Sequence, residues 1–256
     1  MPISFFTTAI VVLAGLAYAS PTAPRHEDVI SMTLTNPVTT PTLEPAALVA
    51  HQGDMKAPDI FTLKIVNNAG VDLTTTHKMN NYPATEPVAV PPQGGLPDPG
   101  NMPAGATATM LLPTGWGGNI GVNKAGWNHN NADSLIESSY RIQPNDAFAG
   151  FSVDISFVDG YTFPIDCFCT SGGGARLKGC STNLWQLAEC PGHLLIAGQG
   201  SCRNPLKGNS GLNLTPEPFF APCQGQAYTY PNDNNAASHG QCQSGTITCQ
   251  IFPNGL

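Results

Sequence analysis

The residues of this sequence best suited to chemistry are eight cysteines, all lying between Cys167 and Cys249. Thiolates bind zinc or pair as disulfides, and spacing and compartment decide between the two. Cys167-Phe168-Cys169 is a C-x-C with no matching second pair, and the six histidines show no ligand spacing. No metal site and no cofactor are expected. Disulfides are, because residues 1–19 read as a secretory signal peptide. An apolar stretch at 5–16 is followed by Ala17-Tyr18-Ala19, a small-x-small cleavage pattern, although the leading residues lack Lys or Arg. About 12 apolar residues fall short of the ~20 that span a bilayer, and no later stretch qualifies, so no membrane span is expected. The predicted product is secreted. Asn213-Leu214-Thr215 is a glycosylation sequon, with Pro216 directly after it.

Other nucleophilic and phosphate-binding patterns fail. There is no G-x-S-x-G elbow, and Gly172-Gly173-Gly174 lies between cysteines rather than between a strand and a helix. Trp116, Trp127 and Trp185 could stack on sugar rings, but core packing is the commoner fate of tryptophan. Asp159-Gly160 is a favoured turn pair on structural grounds alone, and Asp154 takes an outward position of an alternating strand. Five positions separate Asp154 from Asp159, opposite parity on a straight strand. The two can share a cleft only if the chain turns between them.

The elements that must position these groups follow from composition. The chain has 256 residues, 41% hydrophobic, enough for one sizeable core or two small ones. Charged residues are only 11%, against roughly 25% in an average soluble protein, so a helical bundle is excluded. Gly (27) and Pro (24) favour turn-rich β structure. Net charge is −7 with no basic run, which excludes nucleic acid as a partner. Residues 20–59 read as a proline-rich linker or pro-segment, with a weak strand signal at 29–35. Alternation predicts strands at Ile60–Asn67, 107–112, Ser134–Ile142 and 151–158. With Asp159-Gly160 and the run 161–165, the last of these predicts a hairpin. Seven prolines across 82–103 argue against any ladder there. Only 183–189 looks helical, capped by Ser181 or Thr182 and stopped at Pro191. The expected architecture is an all-β antiparallel sandwich with one short helix and a disulfide-rich loop region over 167–249.

These segments resemble a known family. VDISFVDGYTFPI (153–165) is similar to the signature hairpin of thaumatin-like (osmotin-like) proteins. GCSTNLWQLAECP (179–191) resembles the family's cysteine-rich helical segment, and CQGQAYTY (223–230) its CPDAYSY segment with one extra residue. FTLKIVNNAG (61–70) and PAGATATMLLPTGWGGNI (103–120) resemble its early strands. The thaumatin-like domain is placed at 60–256, and the absence of the family's early cysteines implies the reduced type found in fungi. The resemblance implies the pairs Cys180–Cys223 and Cys190–Cys202, and Cys242 with either Cys167 or Cys169. Ala69 stands where the family's terminal bridge begins, which leaves Cys249 to the remaining cysteine of that pair.

The resemblance also implies an acidic cleft carrying one Arg, one Glu and three Asp. Carried over residue by residue, the Glu falls at Glu137 and two Asp at Asp154 and Asp159. The third Asp falls at Gln226 and the Arg at Asn123, beside Lys124. Asp233 is a candidate substitute acid, although its position suits a polar turn. Glu189, Arg176 and Lys178 read as solvated loop charges. Family members are defence or cell-wall proteins, and some bind or slowly hydrolyse β-1,3-glucan. The expectation is a secreted, monomeric protein of extracellular space or cell wall that binds β-glucan through Asn123, Lys124 and Gln226. The alternatives are an endo-β-1,3-glucanase using Glu137 with Asp154 or Asp159, and a non-catalytic surface or antigenic protein.

Overall fold

The computed structural model describes residues 60–79, 100–113, 116–142, 149–170, 176–209, 211, 214–237, 242 and 245–255. The expected signal peptide, the expected linker at 20–59 and Asn213 of the sequon lie outside these residues. In chain order the strands are β1 (Ile60–Asn67), β2 (Leu73–Met79), β3 (Gly100–Met102), β4 (Thr107–Pro113), β5 (Trp116–Lys124) and β6 (Ser134–Ile142). There follow β7 (Ala149–Ser156), β8 (Gly160–Tyr161), β9 (Ile165–Cys169) and β10 (Arg176–Cys180). Among the described residues one α-helix, α1 (Leu184–Leu187), precedes β11 (Leu195–Ile196), β12 (Ser201–Arg203) and β13 (Thr246–Ile251).

Two five-stranded sheets form a sandwich. The first runs β10-β9-β13-β1-β4 and the second β3-β2-β5-β6-β7. Strand β1 alternates as predicted, sending Phe61, Leu63 and Ile65 inward with no exposure. From the second sheet Ile120, Ile136, Tyr140, Val153 and Ile155 meet them in the same core. The rings of Phe61 and Tyr140 join the layers at 5.6 Å. Trp116 is fully buried, its Nε1 donating to Ser138 Oγ at 2.9 Å, so it is a core residue. The all-β expectation holds, with one feature the alternation did not reveal: β13 returns from the far end of the chain to pair in parallel with β1.

Three local expectations are corrected. Gly100–Met102 pairs with β2 despite its flanking prolines, because an edge strand of three residues fits between Pro99 and Pro103. The helix is four residues long and is capped by Asn183, whose side chain accepts from Trp185 N, not by Ser181 or Thr182. The predicted hairpin across Asp159-Gly160 does not form. Strand β8 pairs instead with β12 in a small sheet β11-β12-β8. Glycine is needed at 160 for space: an added Cβ would overlap the Ala132 carbonyl oxygen and lie 2.6 Å from that of Cys202.

Four disulfides stitch the second half. Cys180–Cys223 and Cys190–Cys202 form as the resemblance implied. The open alternative is settled as Cys169–Cys242 and Cys167–Cys249. The last of these joins directly opposed residues of β9 and β13, with Cα atoms 4.1 Å apart.

Candidate functional site

The outer face of the second sheet positions the candidate acids. Register places Lys78 opposite Asn119, Asn119 opposite Glu137, and Glu137 opposite Asp154. Directly opposed residues share a face, so these four side chains form one line across β2, β5, β6 and β7. The line is at most partly buried, whereas Ile120, Ile136, Val153 and Ile155 beside it point into the core. A cavity of about 290 Å³ opens at its Glu137–Asp154 end, lined also by Ser139, Ser152 and Tyr228 among others. Tyr228 arrives from a loop that extends the β7 edge: its N–H donates to Ile155 O, and its carbonyl accepts from Phe157 N, both at 2.8 Å. Asn204 fixes that loop by donating to Phe157 O and Thr229 O, again at 2.8 Å.

Two opposed carboxyls in one partly dry groove both depart from the ordinary carboxyl range. Burial, then the charge of Glu137, raises Asp154 to about 7. Burial also raises Glu137; the Ser156 hydroxyl, hydrogen-bonded to it, acts the other way, and Asp159 adds to the rise. Tyr228 is raised by burial and by the charges of Asp154, Glu137 and Asp233. Both carboxyls therefore favour the protonated form more than a free carboxyl does.

The remaining sequence candidates fall elsewhere. The chain does turn between Asp154 and Asp159, and Asp159 faces a neighbouring cavity, where it pairs with Lys207 at 2.8 Å. Asn123 is fully buried and donates to Asp133 Oδ1 at 2.9 Å, away from the line. Lys124 lies over the Trp127 ring, 5.1 Å from its centre, and Trp127 in turn packs on the Gly200 backbone. Trp185 packs among Tyr161 and Phe219. Gln226 is within 3.4 Å of Arg176, an exposed contact outside the groove lining. Asp233 is 1% exposed and accepts from Gly225 N and Thr229 Oγ1, which makes it a loop brace. Arg176 and Lys178 are not loop charges but belong to β10, where they hold Asp166 and the Gly225 carbonyl.

No family model matches the chain. Over 70% of this chain and 88% of the relative, the sequence is 27% identical to a thaumatin-like protein of Actinidia deliciosa. The chain is similar to a thaumatin-like protein. That similarity supports the thaumatin-like family, and the strand content with four disulfides is consistent with the all-β thaumatin-like fold. It also fits a secreted thaumatin-like protein. Among the described residues no helix is long and apolar enough to cross a membrane.

Sequence reasoning missed Lys78, Asn119 and Tyr228. Residue-by-residue transfer placed the position of the family's cleft Arg at Asn123, whereas register sets Asn119, earlier on the same strand, opposite Glu137. The signal was present in β5: WGGNIGVNK alternates, with Ile120 and Val122 inward and Asn119 outward.

Proposed function

We propose that the chain is a secreted thaumatin-like protein that binds β-1,3-glucan in the groove over Glu137 and Asp154. The single observation that carries this reading is the line Lys78–Asn119–Glu137–Asp154 across four strands. Sugar hydroxyls both donate and accept, and this line offers carboxylate acceptors beside an amide and an ammonium donor. Tyr228 supplies a ring at the rim. The signal peptide at 1–19, an extracellular or cell-wall location, and a monomeric state complete the proposal. Retention of the protein on insoluble β-1,3-glucan tests it; a protein that does not bind fits instead the surface or antigenic reading.

A second reading, weak endo-β-1,3-glucanase activity, is favoured by one relationship: Asp154, raised by burial and by Glu137 to about 7, stands directly opposite a second carboxyl. Glycoside hydrolysis uses such a pair, a protonated acid on the leaving oxygen and a carboxylate as base or nucleophile. Asp154 is then the candidate acid, with Glu137 as base or nucleophile. Reducing-end release from a soluble β-1,3-glucan, compared with Asp154→Asn, is the test. Equal rates in both proteins exclude Asp154 as the acid.

A further inference from the structure

Segment 186–198, from the end of α1 to the β11–β12 turn, packs little of itself into the molecule. Only Cys190 and Leu194 in it are buried, and Leu187 and Leu195 stand exposed. Its anchors include the Cys190–Cys202 disulfide and the two-pair ladder of β11 with β12. That bridge differs from the other three. It closes the shortest loop, a separation of 12 residues against 43, 73 and 82. Cys190 is 8% exposed, and the cysteines of the other three bridges are at most 3% exposed. Cys167–Cys249 also lies between the paired strands β9 and β13. Segments with few buried apolar contacts open locally at the lowest free energy, so a reagent reaches Cys190–Cys202 first.

The tip of this hairpin supports a second loop, 125–133, between β5 and β6. Gly200, at φ +53°, lies so close to Trp127 that an added Cβ would overlap the indole ring. Asn128 N donates to Gln199 Oε1 at 2.8 Å, and Asn130 Nδ2 donates to Ser201 Oγ at 3.4 Å. Asn131 follows on the same loop. Its side-chain oxygen accepts from Lys78 at 3.1 Å and its carbonyl from Lys207 at 3.2 Å. A run of contacts thus leads from Cys202 in β12, through the hairpin tip, to Lys78 at the end of the groove line.

We propose that Cys190–Cys202 is a redox-sensitive latch: a dithiol reduces it ahead of the other bridges, and the loosened hairpin tip withdraws from Trp127. The exchange balances in two steps. One thiolate of the dithiol bonds to Cys190 Sγ and expels Cys202 as a thiolate, which takes up a proton. The second thiol loses its proton and displaces Cys190 from that mixed disulfide, and Cys190 takes up a proton in turn. Both cysteines end as thiols, reduced by two electrons in all, and the dithiol ends as a disulfide. Opening the shortest closure returns less chain entropy than opening any other bridge, so the rest of the fold outlasts the reduction. The latch stands apart from what the groove binds.

The test is graded reduction of the full protein with dithiothreitol at neutral pH, followed by alkylation and mapping of the labelled cysteines by mass spectrometry. Cys190 and Cys202 should be labelled at least about tenfold faster than the other cysteines, which a difference of about 1.4 kcal/mol in opening free energy supplies. Tryptophan emission should shift to the red in step with that labelling. Trp127 gains water as Gly200 withdraws, while Trp116 stays in the core. The shift should be absent from Trp127→Phe, and present without reductant in the double variant Cys190→Ser, Cys202→Ser. Labelling of another pair first, or of all eight cysteines together, overturns the latch. Labelling of Cys190 and Cys202 with unchanged emission overturns the release of Trp127.

Discussion

Glu137 on β6 stands directly opposite Asp154 on β7, on the outer face of the second sheet. Like charges in that relation destabilise a sheet. Burial and the charge of Glu137 answer that conflict by raising Asp154 to about 7, which favours its neutral form. A position that lowers stability and yet lines a groove is where binding chemistry is sought.

The pH dependence follows in sign. The folded value of Asp154 lies above the ordinary 3.8, so the folded state favours the protonated form. Its contribution is complete below about pH 4 and is lost as pH rises through 7. Asp154→Asn should match wild type near pH 4 and exceed it by about 2–4 kcal/mol at pH 8. Thermal unfolding of both proteins across that range measures the difference. A variant less stable than wild type at pH 8 contradicts the assignment.

Gly160 makes a separate, steric prediction. Two carbonyl oxygens, from Ala132 and Cys202, occupy the space a Cβ would need, and backbone yields less readily than a flexible side chain. Gly160→Ala should cost about 1–3 kcal/mol, lowering Tm by roughly 2–12 °C. An unchanged Tm would show that Gly160 serves only the turn.

The disulfides rank by loop length. Cys180–Cys223 closes a separation of 43 residues and Cys190–Cys202 one of 12. On the chain-entropy model, replacing both cysteines of the longer loop costs about 4 kcal/mol and of the shorter about 3. Denaturant midpoints of the two double serine variants should fall in that order, and the oxidised protein should show no free thiol among its eight cysteines. The reverse order would show that packing around the shorter bridge, rather than chain entropy, dominates its effect.

Much of the frame was legible. Strands β1 and β6 have the predicted bounds because one face of each is core and the other is not, which writes period two into the residues. Strand β2, LTTTHKM, escaped because its threonines carry no such contrast. The parallel pairing of β1 with β13 was invisible to any local pattern. Asp-Gly misled because glycine at 160 answers a close backbone approach instead of a positive φ. The site was half legible for the same reason: Glu137 and Asp154 came with a motif, but Lys78 and Asn119 join their line only through register, which one-dimensional spacing does not encode.

The central claim is tested most directly by retention on insoluble β-1,3-glucan at neutral pH, comparing wild type with Glu137→Ala and Asp154→Ala after each is shown to be folded. Wild type should be retained, and both variants should bind at least about tenfold more weakly, as removal of a charged hydrogen-bonding group implies. A wild-type protein that passes through unretained, or variants retained as well as wild type, would contradict a glucan site built on Glu137 and Asp154.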